Sequence, residues 1–168
     1  MTYLDHIKAC NNANPSRYVP FRIDGMSLGA LRPDFATALS ALGPDFVRDE
    51  NGEFCFASHI GTLDDRNRSL DTATKALCDQ GVIRRLHGER FDIRPTLGHD
   101  PLCQLDRSAM PYFGFRSWGV HMNGYVQKDD GIHMWIAHRA KDKPTYPGML
   151  DNMVAGGQPT GLGFLENM

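Results

Sequence analysis

The chain has 168 residues, enough for one domain of common size or for a small domain joined to part of another. Lys and Arg number 18 against 20 Asp and Glu, so no global basic field exists to gather a nucleic-acid backbone or an anionic lipid surface. A hydrophobic share of 41% with 23% charged residues fits a folded globular chain and argues against disorder.

No run approaches the roughly twenty apolar residues that span a bilayer. The start, Met1-Thr-Tyr-Leu-Asp-His6, has neither the basic residues nor the apolar core of a secretory signal, so a soluble, cytoplasmic protein is expected. Cys10, Cys55, Cys78 and Cys103 are widely spaced and lack a C-x-x-C pair. They read as reduced, buried thiols.

Leu4, Ile7 and Cys10 recur at helical spacing, which predicts a short amphipathic helix over about 2–12 that packs on the core. Tyr18 to Ile23 reads as a strand ended by a turn at Asp24-Gly25. Pro33 opens a helix whose face carries Phe35, Leu39 and Leu42, and Gly43 closes it. Phe46-Val-Arg48 and Glu53-Phe-Cys-Phe56 flank Asn51-Gly52, the signature of a β-hairpin.

A further helix is predicted from Asn67 to Gln80, since Leu70, Ala73 and Leu77 align and Gly81 follows. Strands are expected at Phe91–Ile93, Tyr112–Phe115, Trp118–Val126 and His133–Ala137, with a hairpin turn at Asp129-Asp130-Gly131. The change from mixed helices and strands to strands and Gly-rich loops places a domain boundary near Met110-Pro111, giving units of 1–110 and 111–168.

Gly25-Met-Ser27-Leu-Gly29 matches the G-x-S-x-G pattern of a nucleophile elbow. An elbow needs a helix directly behind the serine, whereas Arg32-Pro33 starts the helix later and no oxyanion segment is present; a Gly-rich connector is the better account. The seven histidines include no His-Glu-x-x-His, and His133 and His138 are poorly spaced for joint ligation, so no zinc site is expected.

The informative stretch begins at Gly119-Val-His121-Met-Asn123-Gly124-Tyr125 and continues through Met134-Trp135-Ile136-Ala-His138-Arg139. It ends with Lys143-Pro-Thr145-Tyr-Pro147-Gly148-Met-Leu150-Asp151-Asn152-Met-Val154-Ala155-Gly156-Gly157. This run resembles the Nudix hydrolase superfamily just before its signature box. The nearer likeness is to a subfamily in which a small α+β accessory domain precedes the Nudix domain, related to the Nudix part of yeast thiamine pyrophosphokinase. Pro20-Phe21-Arg22 and Gly29-x-x-Arg32-Pro33 resemble the accessory domain.

The resemblance implies an α+β chain in which the accessory domain is followed by the first strands of a Nudix α/β/α sandwich. It implies hydrolysis of a nucleoside- or thiamine-type diphosphate with magnesium or manganese. The carboxylate helix of the box, R-E-x-x-E-E, would lie beyond Met168, so no catalytic residue is assigned within the chain and activity of this chain alone is not expected.

Implied substrate-binding residues are His121, Asn123, Arg139, Lys143 and Asp151, and the Gly156 carbonyl corresponds to a metal contact. Arg139 suits a bidentate grip on phosphate, and Lys143 suits a point charge. His138 stands where the subfamily has an arginine. The other reading is a non-catalytic binding module, whose incomplete sheet favours self-association.

Overall fold

Strand β1 (Val19–Ile23) turns through Asp24 and Gly25 into β2 (Met26–Leu31) in the computed structural model, which describes residues 2–143 and 145–168. Both turn residues have positive φ, 50° and 76°, as a two-residue hairpin requires, and Ile23 pairs with Met26. The G-x-S-x-G segment is therefore a strand and not a connector. Ser27 faces Arg22 in the ladder.

Helix α1 (Tyr3–Cys10) forms where the spacing predicts it, but it buries nothing. Tyr3, Leu4 and Ile7 are 92%, 64% and 63% exposed, so the expected packing role is corrected: an amphipathic stripe existed with no surface to receive it. Helix α2 (Pro33–Ser40) starts on Pro33 and buries Phe35, Ala36 and Leu39. The hairpin of β3 (Phe46–Arg48) and β4 (Phe54–Phe56) completes a four-stranded sheet of order β2-β1-β4-β3, with β1 and β4 parallel.

Helix α3 (Leu63–Asp79) begins at Leu63 rather than Asn67 because Thr62 and Asp65 form a capping box. Its inner face carries Arg66, Ser69, Leu70, Ala73, Thr74 and Leu77 at helical spacing. Arg66 grips Asp24 through two bonds of 2.5 and 3.1 Å, tying the β1–β2 turn to the helix. Around Phe21, fully buried, the rings of Phe46, Phe54, Phe56, Phe113 and Phe115 lie with centroids 5.3–6.5 Å away.

Strands β5 (Arg90–Ile93) and β6 (Cys103–Asp106) pair antiparallel beside α3; β6 was not expected. Residues Tyr112–Phe115, expected as a strand, instead belong to a helical turn, α4 (Met110–Phe113), and the residues after it. Their aromatic content suggested a strand, but Pro111 sits in the first turn and Gly114 ends it at φ 61°. A Cβ on Gly114 would lie 2.3 Å from the Ala30 carbonyl oxygen, and one on Gly29 would lie 2.8 Å from that of Phe113. The two glycines let α4 sit directly on β2.

Short pairs follow. Strand β7 (Gly119–Met122) pairs with β12 (Val154–Gly157), β8 (Tyr125–Lys128) with β9 (Gly131–Met134), and β10 (Ala137–His138) with β11 (Leu150–Asp151), all antiparallel. The continuous strand expected over Trp118–Val126 breaks at Asn123-Gly124, where the chain changes pairing partner. The stretch His133–Ala137 is likewise divided between β9 and β10.

The fold is α+β, as expected, but burial is uneven. Among the described residues, Val120 is the one buried hydrophobic side chain beyond Phe115. What joins this part to the rest is an edge contact: Thr160 donates its N–H to the Arg90 carbonyl and its hydroxyl to Asp92, each at 2.8 Å. Phe91 also packs against Gly157, where a Cβ would come within 2.3 Å of the ring.

All four cysteines are unpaired. Their expected burial holds for Cys103 alone; Cys10 is exposed on α1, and Cys55 and Cys78 are half-buried. No helix among the described residues is long and apolar enough to cross a membrane.

Candidate functional site

The antiparallel pairs β7–β12 and β10–β11 wall a cavity of about 540 Å³. Its lining includes His121, Arg139, Lys143, Asp151 and Gly156, so five of the six residues singled out in the sequence share one space. Asn123 is not in the wall. It reaches the cavity through Asn152, whose side-chain amide donates to Asn123 Oδ1 at 2.5 Å and whose Oδ1 lies 2.9 Å from His121 Nδ1.

Arg139 is placed by its strand and held by its guanidinium. Its backbone N–H donates to the Met149 carbonyl at 2.9 Å, closing the β10–β11 pair. The side chain donates to Asp151 Oδ2 at 2.5 Å and, through Nε and the second terminal nitrogen, to the Thr145 carbonyl at 3.3 and 3.1 Å. One N–H on each terminal nitrogen is left for a ligand oxygen. Lys143, in the loop between β10 and β11, is exposed and adds an unpaired ammonium among the described residues.

Asp151 serves Arg139. The Arg139 hydrogen bond, with the Asn152 N–H at 2.9 Å, holds its carboxyl below the ordinary aspartate range. A carboxylate so engaged orients a cation more readily than it contacts an anionic substrate. Gly156 lines the cavity with open space beside its Cα, while its carbonyl oxygen lies close enough to Gly119 that a Cβ there would sit 2.8 Å away.

Two contributors were missed in the sequence. Asn152 links His121 to Asn123, and its place beside Asp151 in the Leu-Asp-Asn run was the available signal. Arg107, from the loop after β6, lines the same cavity and had no sequence signal, because only folding brings it beside Arg139.

The profile of the family described as "Domain of unknown function (DUF4743)" matches residues 2–117. The chain belongs to this family. It is 33% identical to "Nudix hydrolase 20, chloroplastic" of Arabidopsis thaliana, over 99% of the chain and 47% of that protein. It is 29% identical to "Nudix hydrolase 24, chloroplastic" of the same plant, over 99% of the chain and 46% of that protein.

An uncharacterized protein of Saccharomyces cerevisiae is 29% identical over 63% of the chain and 32% of its own length. The chain spans about half the length of the two Arabidopsis relatives, and the cavity lies within the aligned half. The DUF4743 family member described here is thus related to Nudix hydrolases across nearly all of its sequence.

Proposed function

We propose that this chain is the phosphate-gripping part of a Nudix pyrophosphohydrolase that cleaves a nucleoside- or thiamine-type diphosphate. The observation that carries the reading is Arg139, oriented by Asp151 and the Thr145 carbonyl, beside Lys143 in a cavity of ligand size. Arg139, held in place, and Lys143, free to reach, can hold adjacent phosphate oxygens, Arg139 by its remaining N–H groups and Lys143 as a point charge. His121 and Asn152 add polar side chains to the same wall, with Asn123 held behind them by Asn152.

The described residues do not fit the magnesium or manganese of that chemistry. Magnesium takes about six oxygens in near-octahedral geometry. Here the wall offers one carboxylate, Asp151, already bound to Arg139, and beside it the Gly156 carbonyl, too few oxygens for such a shell. Among the described residues no three His, Cys, Asp or Glu side chains converge to hold a metal. In this proposal the carboxylates that hold the cation lie in the half of the longer relatives that the chain does not match, and the 168-residue chain binds without turnover.

The test follows phosphate release from thiamine diphosphate, its oxidised forms, ADP-ribose and dinucleotides. It compares the chain alone with a fusion to the remaining half of the Arabidopsis relative. Metal-dependent turnover is expected in the fusion only, and loss with Arg139→Ala. Turnover by the short chain, abolished by Asp151→Asn, would mean the catalytic apparatus has been misplaced. An inactive fusion that still binds diphosphate would favour a binding module, the reading supported by the sparse carboxylates.

Self-association is a further proposal, supported by the exposure of Tyr125, Ile132, Trp135 and Leu150, each above 60%. A single monomeric species in sedimentation velocity across concentrations would count against it. A cytoplasmic location is proposed from the start of the sequence, whereas the two Arabidopsis relatives are named chloroplastic.

A further inference from the structure

A second cavity, of about 630 Å³, opens beside the first and shares Arg107, Arg139 and Lys143 with it. Arg84, Arg85 and His87 form its other wall, on the loop between α3 and β5, within the residues matched by the family profile. Five permanent cations thus border one groove, against one acidic side chain, Asp142, among the described residues that line it. Arg139 is neutralised by Asp151 and Arg107 by Glu89. Arg84, Arg85 and Lys143 have no carboxylate partner among the described residues.

The loop that carries the two arginines is held from three directions. Ile83, fully buried, pins its start in the core. The Arg84 N–H donates to the Tyr112 hydroxyl at 3.4 Å. Asp106, 9% exposed, accepts the N–H groups of His87 and Gly88 at 2.7–3.1 Å. These bonds hold the loop backbone while Arg84 and Arg85 are exposed and pair with no carboxylate among the described residues, so their charges are presented rather than used within the fold. Uncompensated like charges repel, and a polyanion in the groove would relieve that repulsion.

We propose that this groove binds a polyphosphate-bearing small molecule, with Arg84 and Arg85 of the DUF4743 part taking the phosphate groups beyond those held by Arg139 and Lys143. The inference rests on the proposed phosphate grip for one end of the ligand, and it gives the DUF4743 part a role in binding. The near-neutral composition concealed the site, because acidic residues elsewhere cancel the cluster.

Inorganic tripolyphosphate and inorganic monophosphate serve as probes in calorimetric titrations of the 168-residue chain, without added metal. Folding of every variant is checked by circular dichroism. Arg84→Ala/Arg85→Ala is expected to weaken tripolyphosphate binding at least about tenfold, equivalent to one strong contact, with a smaller change for monophosphate. Lys8→Ala/Lys75→Ala, which removes the same charge elsewhere, should change affinity less than about twofold.

Loss of binding in both the double arginine variant and Arg139→Ala supports the continuous groove. Loss in Arg139→Ala alone overturns this inference and leaves the phosphate grip standing. Loss in the double arginine variant alone confines the anion to the DUF4743 part, which overturns the shared groove and also removes support for the Arg139 grip. Equal affinity in all variants, or no binding by the unaltered chain, overturns both.

Discussion

Asp106→Asn is predicted to destabilise the chain by about 2 kcal/mol at neutral pH, on the following geometry. The Asp106 carboxylate accepts backbone N–H groups from His87 at 2.9 Å, Gly88 at 2.7 Å and Ser108 at 2.8 Å, closing two loops around one buried end of β6. An asparagine keeps one oxygen and turns a second donor toward these donors, so at least one amide loses its acceptor. Hydrogen bonds to a charged group contribute roughly 1.5–3 kcal/mol each. The low end applies because His87 and Gly88 are exposed and water can reach their amides. For a chain of this length, about 2 kcal/mol corresponds to roughly 4–8 °C in Tm.

The same site fixes the acid response. Burial pushes the Asp106 carboxyl up, and the hydrogen bonds from His87, Gly88 and Ser108 outweigh it, so its pKa lies below the ordinary value. A depressed folded pKa means that the stabilisation is complete above the unfolded value, about 4, and is lost as pH falls through the lower folded value. Urea unfolding followed by tryptophan fluorescence at pH 7 and near pH 3 should show the gap between the two proteins narrowing in acid. An unchanged midpoint at pH 7, or a gap that widens in acid, would show that the Asp106 charge does not hold the two loops.

Gly114→Ala should cost at least about 2 kcal/mol, combining a left-handed backbone with a 2.3 Å approach to Ala30, as read by denaturant melts. Near-wild-type stability would mean that α4 does not sit so close on β2. Thiol labelling of the folded chain should reach Cys10 first and Cys103 last, since burial pushes the Cys103 thiol up to about 12; four thiols should titrate in denaturant. Hydrogen exchange should protect β1, β4, β6 and α3 well beyond β8–β11, where almost no side chain is buried; equal protection would contradict the uneven core.

Helix α2 and the β3–β4 hairpin were legible because Pro33, Gly43 and Asn51-Gly52 act locally, and a local signal needs no tertiary partner. Tyr112–Phe115 misled because aromatic residues suit either a strand or a core, and Pro111 with Gly114 decided for a helical turn. For α1 the periodicity gave the helix, but no sequence feature states whether a matching apolar surface exists. Strand β6 gave too little pattern, being four residues long, and depends on α3 and β5 for its place.

Among the candidate site residues, Arg139, Lys143 and Asp151 stand in one short run that the family resemblance singles out. Arg84, Arg85 and Arg107 were not, since they lie far from it in sequence and near it only in the fold.

Whether Arg139 and Lys143 grip a diphosphate is read at the residues themselves by titrating inorganic pyrophosphate into the isotopically labelled 168-residue chain, followed by nuclear magnetic resonance. Saturable shifts of the Arg139 Nε–H and of the amides of Lys143, Asn152 and Gly156 are expected, absent in Arg139→Ala, with α1 unmoved. Shifts spread over exposed lysines without saturation, or no shift at Arg139, would contradict that grip.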